Sequence, residues 1–451
     1  MSPEQLDRLF HAYDIRGLAE RELNCETAIA IARAFGDLMI EGDGRFVVGH
    51  DARLSSTSLA EAVSIGLRSG GHRVTHIGRC STPLLYWYGA EGDFDGSVMI
   101  TASHLPPEYN GFKLCGRDAL PLYGNDGLRE VRERIQIPLV FDRPCTPSLE
   151  WADPRNDYAC LLRPYLRGVG PLKIAVDAGS GVGGVSVDKV FDHFPHIWLH
   201  KLNFEPDGYF PYRSPDPFEV DALDGLTFCT KKHGCAFGIA FDGDADRAAV
   251  IDEAGNRVPP DLIGALLAEH FISLHPGATI VHDLRASRVV REVIERAGGR
   301  AVPAPVGHPF IKRMMRKTGA VFALDLSGHC YYADLYDTDN ALRTLIELTQ
   351  LVSNADRPLS ALVKPLRRYA TSGNIDLQVH DRQAALAMLE SAFADGEISH
   401  IDGVSVDYPD WWFNARRSRN EPLLRLSVGA TDMDRLVEKI RAIREALGEF
   451  V

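Results

Sequence analysis

No stretch of this chain approaches ~20 uninterrupted apolar residues, so a membrane-spanning helix is not expected. The opening Met1-Ser-Pro-Glu-Gln-Leu-Asp-Arg lacks the apolar core of a secretory signal. Eight cysteines, at 25, 80, 115, 145, 160, 229, 235 and 330, include no short-spaced pair of the zinc-binding kind. They read as reduced, mostly packed thiols, and a cytoplasmic location is the resulting expectation. No lysine- or arginine-rich stretch interrupts a formal net charge of -13, which argues against a nucleic-acid partner and leaves small anions dependent on local positive pockets. Low-complexity linkers are missing too. What remains is an ordinary globular composition, 45% hydrophobic and 25% charged over 451 residues, enough for roughly three domains or a few more.

Short apolar runs ending in polar or glycine-rich turns recur along the chain: 45–51, 96–103, 173–179, 237–242, 279–283 and 320–325. Helical-period stretches lie between them, among them 25–39, 58–68, 260–271 and 340–352. Such alternation predicts α/β units with largely buried sheets, whose functional groups gather where strands end. Proline- and glycine-marked breaks fall near 143–147, 253–260 and 364–365. The expected blocks are 1–147, 148–255 and 256–365, followed by a smaller α+β block, 366–451, with strands near 403–408 and 423–428 and a helix over 432–447.

The densest chemistry is Phe241-Asp-Gly-Asp-Ala-Asp-Arg247, directly after the apolar run 237–241. Three carboxylates at alternate positions repel one another unless a hard divalent cation takes oxygen ligands from Asp242, Asp244 and Asp246. Arg247 adds a fixed positive charge, and cation plus arginine at a strand end suits phosphate chemistry. A calcium loop shares part of this spacing through Glu253. It is excluded because Arg247 occupies the position that needs glycine and because a strand, not a helix, precedes the loop.

Four further segments carry candidate groups. Thr101-Ala-Ser-His-Leu-Pro-Pro-Glu-Tyr-Asn-Gly-Phe-Lys113 offers Ser103 as a nucleophile with His104 and Lys113 close in sequence. Asp325-Leu-Ser-Gly-His329 holds a carboxylate, a hydroxyl and an imidazole. Arg416-Arg-Ser-Arg-Asn-Glu-Pro-Leu-Leu-Arg425 provides guanidinium forks and small donors suited to a dianion. The N-terminal Tyr13-Asp-Ile-Arg-Gly17 is the fourth. The glycine-rich Asp177-Ala-Gly-Ser-Gly-Val-Gly-Gly184 lacks dinucleotide-loop spacing and reads as structural.

In this order, these motifs resemble those of the α-D-phosphohexomutase family, in particular its bacterial phosphomannomutase and phosphoglucomutase members. The resemblance implies three similar α/β domains with mixed sheets, a smaller C-terminal α+β domain and an active-site cleft between the four. It further implies interconversion of hexose 6-phosphate and hexose 1-phosphate, of mannose and also glucose, through phospho-Ser103 and a hexose 1,6-bisphosphate. Ser103, Asp242, Asp244 and Asp246 would hold Mg2+, and His329, assisted by Lys113, would move the sugar proton. Arg16 and Arg247 would steady the reacting end. Tyr13, Arg285, His308, Asp325 and Ser327 would line the substrate site, with Arg416, Ser418, Asn420 and Arg425 anchoring the other phosphate. A monomer or small homo-oligomer acting on small sugar phosphates, without nucleic acid or membrane, completes the expectation.

Three positions depart from the family pattern. Leu105 stands for the usual Asn after the phosphoserine-loop His, Asp325 for Glu in the sugar loop, and Arg419-Asn420 for Asn-Thr in the phosphate loop. A carboxylate shorter by one carbon-carbon bond reaches about 1.5 Å less, enough to break or water-bridge a hydrogen bond. Hexosamine phosphate is therefore an alternative substrate. A weakened sugar-phosphate-binding homologue and a phosphatase that hydrolyses the phosphoserine are the alternative classes.

Overall fold

The computed structural model describes residues 3–124, 126–135, 148–419 and 421–448. Cys145, Asn420 and the expected break at 143–147 lie outside these residues. By their internal contacts they form two units, Met1–Val258 with Ser327–Ser360, and Pro259–Leu326 with Ala361–Val451.

The first unit contains two mixed sheets. In one, the parallel strands Gly96–Ile100, Arg45–His50, Arg73–Arg79 and Leu149–Trp151 continue through the antiparallel strands Tyr109–Gly116 and Ile15–Leu18. In the other, Ile197–Leu202, Leu172–Asp177 and Phe237–Phe241 run parallel, and Ala248–Asp252 and Arg257–Val258 extend them antiparallel. All five residues of Phe237–Phe241 are buried, as a central strand in a covered sheet requires. Full burial of each Phe or Ile side chain contributes ~1.5–3 kcal/mol. A short antiparallel hairpin, Cys330–Tyr332 with Thr338–Asp339, leads into the helix Ala341–Asn354.

Local sequence explains the helices that frame these sheets. Cys25–Met39 begins where Asn24 Oδ1 accepts the Thr27 backbone N–H at 3.0 Å, satisfying a donor with no partner inside the helix. Its alanines, Ile31 and Phe35 then form the buried stripe. The helix matches the expected range residue for residue.

The second unit has the parallel trio Arg300–Ala304, Thr279–Asp283 and Phe322–Leu324. It also has an antiparallel sheet in which Ala370–Thr371 and Ile375–Leu377 pair with Leu424–Ala430, followed by Trp411–Arg417, Val404–Asp407 and Glu397–Ser399. With the helices Arg382–Ala392 and Met433–Leu447, that C-terminal sheet is α+β. The α/β reading thus holds, and no helix among the described residues is long and apolar enough to cross a membrane. The seven cysteines among them, Cys25, Cys80, Cys115, Cys160, Cys229, Cys235 and Cys330, are all free thiols.

Candidate active site

Within the first unit, the chain reverses just beyond Gly96–Ile100 and places Ser103 against the aspartate loop that follows Phe237–Phe241. Ser103 has φ 50°, a left-handed backbone uncommon for a residue with a side chain. The surroundings determine it: the Ser103 N–H donates to Thr101 Oγ1 at 2.8 Å, and Thr101 Oγ1 donates to Asp51 Oδ2 at 2.8 Å. Arg53, fully buried and paired with Asp51, donates to the carbonyls of Ser103, Leu105, Pro106 and Tyr109 at 2.6–2.9 Å. One guanidinium therefore binds the whole loop from beneath.

The Ser103 hydroxyl donates to Asp242 Oδ2 at 2.8 Å and lies 3.2 Å from His104 Nδ1. Asp242, Asp244 and Asp246 are buried, and each offers a carboxylate oxygen within 4.8 Å of the others. Lys113 Nζ donates to Asp244 Oδ2 at 2.7 Å and also bonds Asp246, while Thr82 Oγ1 donates to Asp244 at 2.6 Å. Asp244 Oδ1 is sealed from solvent and has no hydrogen-bond partner among the described residues. An all-oxygen set with such an orphaned acceptor fits a hard divalent cation.

Charge is distributed unevenly here. Burial and the adjoining Asp246 and Asp244 push the Asp242 carboxyl well above the usual carboxylate range. Burial also works against ionisation of Asp246, yet Lys113, His329 in its protonated form and Arg247 outweigh it and hold that carboxyl well below the range. Lys113 stays protonated because the Asp244 and Asp246 charges overcome its own desolvation. Arg247 Nε donates to His329 Nε2 at 3.1 Å, and that nitrogen lies 3.5 Å from Asp246. Burial, then the positive charges of Arg247 and Arg16, keep His104 neutral, so both arginines act on the residue next to Ser103. Arg16 is itself held by Asp14 at 2.6 Å.

The second unit holds a separate cluster of cations. Arg416 is 4% exposed, and its guanidinium makes no hydrogen bond among the described residues. Burial, then the neighbouring charge of Arg285, lowers its pKa to about 10, with Arg425 acting in the same direction. Ser418 Oγ is buried and has no hydrogen-bond partner among the described residues. Arg285 is fixed by Asp283 and reaches Asn374 Oδ1 at 3.3 Å. Arg425 pairs with Asp376 at 3.3 Å and with Glu421 at 2.5 Å. Convergent guanidinium donors beside a free hydroxyl suit a phosphate dianion. Arg419, one of the departures, donates to the Val306 carbonyl at 2.9 Å, pairs with Asp402 at 3.1 Å and lies over Phe310. It thereby ties down the turn that starts the helix His308–Thr318 at His308.

Ser103, Lys113, the three aspartates, Arg247 and His329 are thus joined in one connected network, with the aspartates as its hub. Asp325 is buried at the end of Phe322–Leu324 in the second unit, whereas Ser327 is part-buried and belongs to the first. Tyr13 is part-buried beside Asp14. Sequence reasoning missed Asp51, Arg53 and Thr82. A signal existed: His50-Asp-Ala-Arg53 recurs as His282-Asp-Leu-Arg285, each after a parallel strand. In both, His Nδ1 bonds the next carbonyl, at 2.8 and 3.0 Å, and the Arg N–H donates to the Asp carboxylate, at 3.0 and 2.9 Å.

Comparison with known proteins accords with this geometry. Models of phosphoglucomutase/phosphomannomutase α/β/α domains I, II and III match residues 7–136, 165–255 and 259–369. The chain is 36% identical to the phosphohexose mutases of Xanthomonas campestris pv. campestris, with 93% of this chain and 94% of theirs covered. Against the phosphomannomutase of Methanocaldococcus jannaschii identity is 32%, with 98% of each chain covered. A crystal structure of a phosphoglucomutase/phosphomannomutase family protein from Burkholderia thailandensis is 32% identical with a TM-score of 0.88, covering 99% of this chain and 97% of that one. Strand-end motifs, buried acidic triad and near full-length similarity together place the chain in the phosphoglucomutase/phosphomannomutase family of α-D-phosphohexomutases.

Proposed function

We propose that the protein is a phosphohexomutase that interconverts hexose 6-phosphate and hexose 1-phosphate, with mannose and glucose phosphates as substrates, by way of phospho-Ser103. The observation that carries this reading is the 2.8 Å contact of Ser103 Oγ with Asp242 inside a buried triad. Ser103, Asp242, Asp244 and Asp246 hold Mg2+, which when bound neutralises charge on the phosphoryl oxygens. The blocks 1–147, 148–255, 256–365 and 366–451 are taken as the domains that supply these parts.

In the forward half-reaction a hexose phosphate presents its free hydroxyl to phospho-Ser103. The bond from phosphorus to Ser103 Oγ breaks as the sugar oxygen bonds to phosphorus, and the hydroxyl proton passes to His329. Lys113, held protonated, donates to the departing oxygen. Arg16 and Arg247 keep the reacting phosphoryl group oriented. The resulting hexose 1,6-bisphosphate turns end for end, and Ser103 recovers the other phosphoryl group by the reverse chemistry. Arg416, Ser418, Asn420 and Arg425, with Arg285, hold whichever phosphate is not reacting. Tyr13, His308, Asp325 and Ser327 contact the sugar. Trace bisphosphate primes an unphosphorylated serine, and the reaction runs on small sugar phosphates in the cytoplasm.

The test combines turnover with intact mass. Mannose, glucose and glucosamine phosphates are assayed with Mg2+ and trace bisphosphate, and the active protein is weighed. The expected result is isomerisation of at least one sugar and a mass increment of one phosphoryl group that Ser103→Ala lacks. Hydrolysis without isomerisation identifies a phosphatase, binding without either identifies a weakened homologue, and a glucosamine preference selects the hexosamine reading.

A further inference from the structure

The aspartates are not the only side chains arranged like metal ligands. On the outer strand of the second sheet, His200 stands opposite Ala175, and the helix Asp224–His233 packs over the same two strands. Cys229 and His233 are four residues apart on that helix, so both project from one face. The rings of His200 and His233 stack with centroids 4.1 Å apart and an interplanar angle of 20°. One donor atom from each of the three residues lies within 4.8 Å of the others. None of the three side chains makes a hydrogen bond with a described residue, so their lone pairs are not committed elsewhere.

We propose that His200, Cys229 and His233 form a binding site for a borderline-soft divalent cation of the zinc class, separate from the aspartate triad. Two imidazoles and a thiolate are the donors that Zn2+ takes, and three protein ligands leave a fourth position for water. In a tetrahedral zinc site such donor atoms stand roughly 3.3–3.6 Å apart. The lone pairs of imidazole nitrogens lie in the ring plane, so coordination requires the two rings to turn out of their stack, and His233 has the room to do so: it is exposed and is the last helical residue before Gly234 in the left-handed region. The helix C-terminus also directs its negative dipole end at the ion. Cys229 loses its proton to solvent as the sulfur–metal bond forms.

Donor softness sorts the two sites: all-oxygen ligands at Asp242, Asp244 and Asp246 favour Mg2+, while nitrogen and sulfur favour zinc. Occupation would fasten the helix to the outer strand, a contact now made by ring stacking and packing.

Cobalt provides the direct readout, because a thiolate ligand gives Co2+ an intense near-ultraviolet charge-transfer band that oxygen ligands do not. The full-length protein with reduced thiols is titrated with Co2+ alone, then with Zn2+ or excess Mg2+. The expected result is a band saturating at one equivalent, displaced by Zn2+ and unaffected by Mg2+. Cys229→Ser abolishes it and His233→Ala weakens binding at least about 100-fold, with unchanged circular dichroism, while Asp244→Asn retains it. His233 is exposed, so its variant separates ligand loss from misfolding. Absence of the band in the native sequence, or its survival in Cys229→Ser, overturns the proposal.

Discussion

The Arg53 guanidinium donates to the Ser103 carbonyl at 2.9 Å. Three more carbonyls of the same loop share that guanidinium, and Lys cannot serve four acceptors in one plane. Each buried carbonyl left without a donor costs ~1–3 kcal/mol, and a displacement of about 1 Å at a reacting group can reduce rate 10²-fold. Arg53→Lys is therefore expected to lower the denaturation midpoint and to reduce kcat by about two orders of magnitude with little change in KM. Urea unfolding and steady-state kinetics on one preparation check both; unchanged kcat would refute a positioning role.

Lys113 places a tethered positive charge among the carboxylates of the candidate cation site. Like charges about 4 Å apart at an effective dielectric constant of 20 repel by roughly 4 kcal/mol. Lys113→Met leaves that repulsion to the metal alone. The variant is expected to melt lower without divalent cation and to gain more in Tm from Mg2+ than the native protein does. Paired melts with Mg2+ and with EDTA give the comparison.

Arg416 belongs to the proposed phosphate anchor, remote in sequence from Ser103. Loss of a charged hydrogen-bond donor costs ~1.5–3 kcal/mol, or roughly 10- to 100-fold in affinity. Arg416→Gln is expected to raise KM for sugar phosphate by that factor while leaving the fraction of phosphorylated Ser103 unchanged by mass. Equal losses in both readouts would place Arg416 in the fold and not in the anchor.

His76 is 3% exposed, its ring centroid lies 4.3 Å from that of Trp151, and its Nδ1 accepts the Gly78 N–H at 3.0 Å. Burial, then the neighbouring His50, lowers its pKa from 6.5 to about 4. As pH falls through this window, the unfolded chain takes up the proton first, so stability present above pH 6.5 is lost progressively toward pH 4. His76→Gln keeps an acceptor and cannot titrate there. Its urea midpoint is expected to fall less steeply between pH 6.5 and 4.5 than that of the native protein.

Elements whose reasons are local were legible in the sequence. Asn24 and an alanine stripe specify Cys25–Met39, and an apolar strand running into alternating aspartates marks the candidate cation site. Ile197–Leu202 was not legible, because His200 and Lys201 cut this outer strand's apolar run to the three residues Ile197, Trp198 and Leu199. Arg53 was hidden for another reason: its acceptors are main-chain carbonyls about 50 residues away, which every residue carries whatever its side chain. Arg419 departs from the family's phosphate loop in sequence, and its contacts with Val306, Asp402 and Phe310 bring together residues far apart along the chain.

A methyl group on Gly243 would lie 2.6 Å from the Ser103 carbonyl oxygen, closer than real Cβ atoms come. The two loops therefore fit against each other without a gap that one could use to slide past the other. In the proposed cycle Ser103 is then a fixed post and not a swinging arm, and the travel needed to exchange one end of a bisphosphate for the other falls to the sugar.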